Sequence, residues 1–509
     1  MKQRLAAGLA VGAALALLFT LRVRDPGFLP GHHGYNSTLA LALAKNLGPT
    51  HGFLMFSRAH LDAAGRVQLD PHNRLPIPAF LLIRAAMLPC GGDVLCEIAA
   101  ARLLMILLLG GAMVVSYLLM VEISGRPLLA AAVAILAFSS YYLQYYGDMI
   151  YNDIPALFGF LLILLGIARY ERDGARGILY AGVAIGVGFG WQAFGALAAW
   201  WVVDFVGSVR RASGGASSTL RGLIRREPTR ALGAALLFGA LLLAFNLLNE
   251  WRVLGGNLTS LPSVRSILFR TGVASEEAGA AEASEIRWTR FLTKQARRVM
   301  KASLPAGAMH DAVSKLGNAA DARPFLVLAA ALAGAALLVW RFMRVRGNRV
   351  VLGTVLLSGF FWTIPLKNFS AFHEYQSFFY VGFALVFYYA LLDRTSGWPT
   401  WVVLPAALVL FAWSCVALRA EKANLARPFN TRSVDFAAIR AALGPGRKVL
   451  LGAEPDEFAG EGKALRYFLA GEYEAPAELA EFVITRRRDY GREPMTPANR
   501  EVFLFRTRP

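Results

Sequence analysis

Long apolar runs dominate the chain and set its architecture. Stretches of roughly 18 to 20 apolar residues, enough to cross a bilayer as a helix, recur along most of its length. They lie near 5–22, 98–120, 127–145, 153–169, 177–190, 191–207, 230–248, 323–342, 350–365, 374–392 and 399–418. The run from 177 to 207 is too long for one crossing, and the glycines of "GFGWQAFG" divide it into a tight hairpin. The pattern predicts about eleven transmembrane helices.

The intervening segments carry their own periodicity. In the first loop, 23–97, residues 35–47 and "IPAFLLIRAAML" read as short helices, the second too short to span and apolar enough to lie at the interface. In the loop 249–322, "EIRWTRFLTKQARRVMKAS" places Trp288, Leu292, Val299 and Met300 on one helical face, with arginines and lysines opposite. That is the pattern of a basic interfacial helix, or of a helix packed on the rest of the protein. From about 435 the composition changes. "KVLLGAEPD", "EFVITRRR" and "EVFLFRTR" read as strands, and "VDFAAIRAAL" and "KALRYFLAG" as helices. The expected fold class is an all-α polytopic membrane protein spanning 1–420, with a small soluble α/β domain over 435–509 on the periplasmic side. Nothing in that tail has catalytic spacing.

Composition strengthens this reading. Of 509 residues, 56% are hydrophobic and 17% charged, too apolar for a soluble chain of this size. The net charge of +19 suits cytoplasmic loops and contact with anionic lipid or phosphate. It does not point to nucleic acid, because the arginines are scattered between apolar spans. "RYERDGARG", "VRRASGGASSTLRGLIRREPTR" and "RFMRVRGNR" share one side if the N-terminus is cytoplasmic. An odd helix count then leaves the C-terminus periplasmic, as a multi-pass protein of the inner membrane. The N-terminal "MKQRLAAGLAVGAALALLFTLRVRDPG" has the charge and apolar length of a signal peptide but no small-x-small cleavage site, so it reads as an uncleaved anchor. Cys415 lies in an apolar span and reads as packing. Cys90 and Cys96, in "PCGGDVLCE", are a disulfide candidate in an oxidising compartment.

Four polar clusters fall on the expected outer side. They are His32, His33, Tyr35 and Asn36; Asp70, His72 and Asn73 in "LDPHNRLP"; Asp148 and Asp153 in "YYGDMIYNDIP"; and Lys367, His373, Glu374 and Tyr375 in "PLKNFSAFHEYQ". Trp191 and Gln192 sit at the hairpin tip. Carboxylates can serve as general bases, cations and histidines can hold a phosphate leaving group, and tryptophan can stack on a sugar. Each cluster also has an ordinary reading. Asn152, Asp153 and Pro155 form a normal helix start, Asp148 and His72 suit turns, and Lys367 and His373 suit an interface and a helix cap.

"GHHGYNSTLALALAKNLG" followed by "LDPHNRLPIPAFLL" resembles the first periplasmic loop of the GT-C membrane glycosyltransferases. These are the group of protein O-mannosyltransferases (glycosyltransferase family 39), lipid A aminoarabinose transferases and rhizobial lipopolysaccharide sugar transferases. "YYGDMIYNDIPALFGFLLILLGIARYER", "GFGWQAF" and "FHEYQSFF" are similar to later segments of that group, and the resemblance covers about residues 1–420. It implies transfer of a hexose or pentose from a polyprenyl-phosphate donor to an envelope glycan, lipid or protein acceptor at the periplasmic face, with inversion. Asp153 and His33 would then stand nearest the acceptor and the sugar, with Asp70 and Asp148 as further candidate bases. Lys367, His373 and Arg298 would stand near phosphate, with His32, Tyr35, Asn36, His72, Asn73, Trp191, Gln192 and Tyr375 around the substrate. The chain departs from the group in one respect. Many members carry an acidic residue in the first loop where His32 and His33 stand here. No D-x-D pair or metal-cage spacing occurs, so a metal-independent reaction without a cofactor is expected. The alternatives are a transporter or flippase of lipid-linked sugars, which would show repeats and mid-bilayer polar groups, and a non-catalytic scaffold.

Overall fold

The structure is a computed structural model. It describes residues 1–22, 32–48, 53–212, 226–271, 288–306, 348–365, 373–393, 400–426, 443, 447–451, 473–474, 479–485 and 503–506. The membrane part opens with α1 (Lys2–Arg22), followed by α2 (His32–Asn46), the hairpin β1 (Phe56–Leu61) and β2 (Val67–Pro71), and α3 (Ile77–Met87). Then come α4 (Val94–Ser124), α5 (Pro127–Phe138), α6 (Tyr141–Tyr146), α7 (Asp153–Asp173), α8 (Gly177–Phe189) and α9 (Ala193–Ala212). The second half contains α10 (Glu227–Leu254), α11 (Pro262–Thr271), α12 (Trp288–Ser303), α13 (Arg349–Thr363), a 3-10 turn at Glu374–Tyr380, α14 (Val381–Leu392) and α15 (Thr400–Ala426). Four strands close the chain: β3 (Lys448–Leu451), β4 (Tyr473–Glu474), β5 (Phe482–Thr485) and β6 (Phe503–Arg506).

Among the described residues, six helical stretches are long and apolar enough to cross a membrane. They are Lys2–Arg22, Val94–Ser124, Asp153–Asp173, Glu227–Leu254, Tyr375–Leu392 and Val402–Lys422, and the chain is a membrane protein of polytopic type. Shorter apolar helices at 127–138, 177–189, 193–209 and 349–363 fill the remaining expected positions, while 323–342 lies outside the described residues. The run expected as one span over 127–145 is broken at Ser139 and Ser140. There α12 delivers its end, with Ala306 N donating to Ser139 O at 2.9 Å and Ser140 bridging Pro305.

α7 is the buried centre. At about 1.5 Å per residue its 21 residues run about 31 Å. It begins at Asp153 and ends among charges, where Glu122 of α4 pairs with Arg169 and Arg172. The same end gathers Arg176 with Glu227 and Arg126 with Asp393. Its packing on α8 depends on glycine. A Cβ at Gly159 would meet Gly186 Cα at 2.4 Å, and one at Gly166 would meet Leu179 Cα at 2.4 Å. Because the obstacle is backbone, the helices themselves must separate to accept a methyl group. Gly159→Ala is therefore expected to destabilise the protein by about 1–3 kcal/mol, read as a lower melting temperature in detergent. Gly233→Ala, where nothing lies within 4 Å, is the control and should not lower it.

The strands form one six-stranded sheet in the order β2-β1-β4-β3-β5-β6. β1 and β4 pair in parallel through His60 and Glu474, so the first loop and the C-terminal tail build a single sheet. The tail expected to stand alone over 435–509 thus completes its sheet with a hairpin from the first loop. "FSRAHL" does not alternate strictly and "VQLDP" alternates only as far as Asp70, so local pattern marks the hairpin weakly. The expected helices of the tail lie outside the described residues apart from Leu443.

The basic helix α12 turns differently from its expected apolar face. Trp288 and Leu292 are exposed, whereas Phe291, Gln295, Arg298 and Ala302 are buried at 3–4-residue spacing. Gln295 Oε1 accepts from the Tyr380 hydroxyl at 2.8 Å, which fixes the inward face.

Candidate functional site

Asp153 opens α7 and is buried. Its Oδ1 accepts two amide hydrogen bonds, from Gln192 Nε2 at 2.9 Å and Gln376 Nε2 at 3.0 Å. Gln376 is itself oriented, since its Oε1 accepts from Trp362 Nε1 at 2.7 Å. Both donors are neutral amides. The hairpin between α8 and α9 delivers Gln192. Gly190 makes this possible, because a Cβ there would lie 2.1 Å from Gln192 Oε1 and 2.6 Å from Ala156 Cβ.

Asp153, Gln192 and Gln376 form the polar end of a cavity of about 400 Å³. Its apolar wall comes from Leu236, Ala240 and Leu243 of α10, a helix whose Leu236 and Leu237 are largely exposed. Arg74 also lines the cavity, and its Nε is buried without a hydrogen-bond partner. The loop carrying Arg74 is held by polar residues of α10 and by the hairpin tip. Asn246 Nδ2 donates to Asn73 O and Leu75 O at 2.8 Å each, and Trp191 Nε1 donates to Arg74 O at 2.9 Å. Asn73 Oδ1 accepts from Met55 N, and its amide donates to Glu250, which also accepts from Ser263 N. Asn73 thus holds the wall from behind, whereas Trp191 lines the cavity with its indole N–H anchored on Arg74 O.

Asp148 belongs to a second, cation-rich cluster. Its Oδ1 lies 2.5 Å from Lys422 Nζ, 3.2 Å from His33 Nε2 and 3.8 Å from Arg22 Nη1. Burial alone would raise this carboxyl, but Lys422, His33 and Arg22 outweigh it and hold Asp148 well below the usual carboxylate range. Burial pushes the His33 imidazole down to about 4, against the pull of Asp148. The ring is then neutral at pH 7. An ionised carboxylate only accepts, so the proton sits on Nε2 and Nδ1 carries the lone pair.

The neutral ring has a measurable consequence. Between pH 6.5 and about 4 the unfolded chain takes up a proton at this residue and the folded chain does not. Stability therefore rises with pH across that window and is lost as pH falls from 6.5 towards 4, by about 3 kcal/mol. Melting curves of the wild type against His33→Gln should show this slope in the former and a shallower one in the latter.

The remaining expected residues divide. Tyr375 is buried between the two carboxylate clusters, its ring 6.3 Å from Tyr146 and 6.0 Å from Tyr151, while Tyr146 stacks 6.2 Å from His33. His373 packs its ring 5.2 Å from Tyr375 and precedes the 3-10 turn. Asn36 is buried and donates to Met149 Sδ at 3.7 Å, while Tyr35 is 42% exposed. Asp70 sits on β2, 3.8 Å from His60, in the sheet rather than in the cavity. His72 donates its backbone N–H to Met55 O at 2.7 Å and ends the same hairpin. Arg298 is buried on the inward face of α12. His32 lies on α2, and Lys367 lies outside the described residues. Cys90 and Cys96 are joined by a disulfide with Cα atoms 5.5 Å apart. Among the described residues no three His, Cys, Asp or Glu side chains converge as metal ligands.

Spacing alone does not mark Arg74, Gln376 or Trp362 as site residues. Arg74 and Gln376 fall inside the quoted segments, and Asn246, Asn249 and Glu250 carried a visible signal as polar residues in an apolar span.

No family model and no curated protein sequence matches the chain. Solved structures do. ArnT from Cupriavidus metallidurans in the apo state superposes with a TM-score of 0.55 at 14% identity, over 97% of this chain and 96% of that one. The structure of ArnT from the same organism bound to undecaprenyl phosphate gives 0.59 at 13% identity, over 97% of both chains. The chain has the GT-C fold, which the motif resemblance over about residues 1–420 implied.

Proposed function

We propose that the protein is a glycosyltransferase that moves a sugar from a polyprenyl-phosphate donor to an acceptor hydroxyl at the outer face of the membrane. One observation carries the reading: a single cavity joins an apolar wall on lipid-exposed α10 to Arg74 and Asp153. The wall suits a polyprenyl chain, the guanidinium its phosphate, and the carboxylate the reacting hydroxyl. Asp153 takes the acceptor proton as the hydroxyl oxygen attacks the anomeric carbon. The bond from that carbon to the phosphate oxygen breaks, and the polyprenyl phosphate leaves with the electron pair, stabilised by Arg74. A single displacement inverts the anomeric centre. ArnT, bound to undecaprenyl phosphate on the same fold, supports this donor class.

In this reading the sheet and the carboxylates face the periplasm from the inner membrane, and both chain ends follow the sidedness read from the basic loops. The disulfide at the start of α4 supports it, since it stands at the end opposite the arginines of the α7 terminus and needs an oxidising compartment. Asp148, Asp153, Gln192 and Gln376 all stand at or beside helix ends, which favours an enzyme over a transporter with its site midway along the spans. The acceptor is a glycan, lipid or protein, and the reaction proceeds without a resident metal.

Binding of polyprenyl phosphate to the purified protein tests the donor side. Arg74→Gln is expected to weaken it by about 10- to 100-fold, the loss of a charge-assisted hydrogen bond. Unchanged affinity would remove Arg74 from the phosphate site.

A further inference from the structure

A second cleft lies apart from the Asp153 cavity, between the outer ends of α1 and α15. Arg22, Arg419, Lys422, Asp148 and Gln144 line it, with Leu418 on its wall. Three cations thus face one carboxylate, and Glu421, the neighbouring acid on α15, does not line the cleft. Asp148 is already engaged by Lys422 at 2.5 Å and by His33. Gln144 is also engaged: its Oε1 accepts from Arg22 Nη2 at 2.8 Å and its Nε2 donates to Phe138 O at 2.7 Å.

What remains is the other arm of Arg22. Its side chain is 8% exposed, its Nη1 donates no hydrogen bond, and the nearest Asp148 oxygen is 3.8 Å away. A buried guanidinium arm without an acceptor is costly, and a buried cluster with surplus positive charge calls for a counter-ion. The cleft has room for it. Its volume of about 20 Å³ admits one oxygen-sized atom, and Arg419 stands exposed at the rim. Below the cleft the flank of α15 is apolar and exposed at Val409, Trp413 and Val416, the surface that acyl chains would cover.

We infer that this cleft is a phosphate-oxyanion site, separate from the transfer site, that takes the headgroup phosphate of an anionic membrane lipid. One non-bridging oxygen enters between Arg22 Nη1 and Lys422 Nζ, the rest of the phosphate meets Arg419, and the acyl chains follow α15. The bound anion neutralises the Arg22–Asp148–Lys422 cluster and ties the first span to the last.

The test uses the full chain in nanodiscs of equimolar phosphatidylglycerol and phosphatidylcholine, with retained lipid read by native mass spectrometry. The wild type is expected to retain phosphatidylglycerol preferentially. Arg22→Gln should reduce that retention by about 10-fold or more. Arg419→Gln, at the exposed rim and safe for folding, should reduce it by about two- to five-fold. In a second arm, phosphatidylcholine nanodiscs are titrated with inorganic phosphate and the melting temperature is followed. Saturable stabilisation there, lost in both variants and without preference for phosphatidylglycerol, assigns the site to soluble phosphate. Lipid preference that survives both substitutions, or neither lipid preference nor phosphate stabilisation, overturns the site.

Discussion

Asp153→Asn is expected to lower sugar transfer by about 10²- to 10⁴-fold, the range for loss of a general base, while leaving the fold intact. The reason lies in its partners. Gln192 and Gln376 both donate to Oδ1, and an asparagine side chain keeps a carbonyl oxygen that can accept those same bonds. What it loses is the charge and the ability to take a proton. Steady-state transfer rates, normalised to protein with wild-type melting behaviour, check this directly. Gln376→Glu should act in the opposite sense on the same carboxylate. Its acid would replace a donor with a like charge, so the pH profile of transfer should move to higher pH. A profile unchanged in position would mean that Gln376 does not face the reacting carboxylate.

The other large effect concerns Asp148 and is one of stability. Asp148→Ala leaves Lys422 and Arg22 buried without their carboxylate, and breaking such a cluster costs about 3–5 kcal/mol. The double substitution Asp148→Leu with Lys422→Met removes both charges and should recover part of the loss. Denaturant melts in detergent of the wild type, Asp148→Leu, Lys422→Met and the double variant form a cycle whose coupling energy measures the pair. Additive losses would show that Lys422 and Asp148 are not coupled. The two acids of "YYGDMIYNDIP" thus divide: Asp153 faces a cavity with neutral donors, and Asp148 anchors α1, α2 and α15 to the loop before α7.

That division was not legible in the sequence. Both aspartates belong to one short stretch, and their roles are set by residues far along the chain, Gln376 for one and Lys422 for the other. Spacing cannot reveal such contacts. The spans were legible because bilayer crossing imposes a length and a composition that few other structures require. Where tertiary contact overrides that rule, the reading departs from the structure. The expected span 127–145 breaks at Ser139 because α12 inserts its end there, and α12 itself turns Arg298 inward because Tyr380 holds Gln295. The hairpin β1–β2 is faint in the sequence because β1 alternates poorly and takes its second neighbour from Glu474, a pairing of which local pattern carries no trace.

The histidine pair reads differently in the folded chain. His33 occupies the place where the resembling enzymes carry an acid, yet it is neutral and bound to Asp148, an acid from the loop before α7. A carboxylate is therefore present beside that position, supplied by another segment and offset by Arg22 and Lys422.

Transfer itself tests the central claim most directly. Proteoliposomes carrying the wild type or Asp153→Asn are supplied with radiolabelled polyprenyl-phosphate sugars and membrane extract as acceptor, and the label is followed. The expected result is label passing to the acceptor with release of polyprenyl phosphate and inverted anomeric configuration in the wild type, and none above background in the variant. Failure of the wild type to transfer from any such donor, or equal transfer by Asp153→Asn, would contradict it.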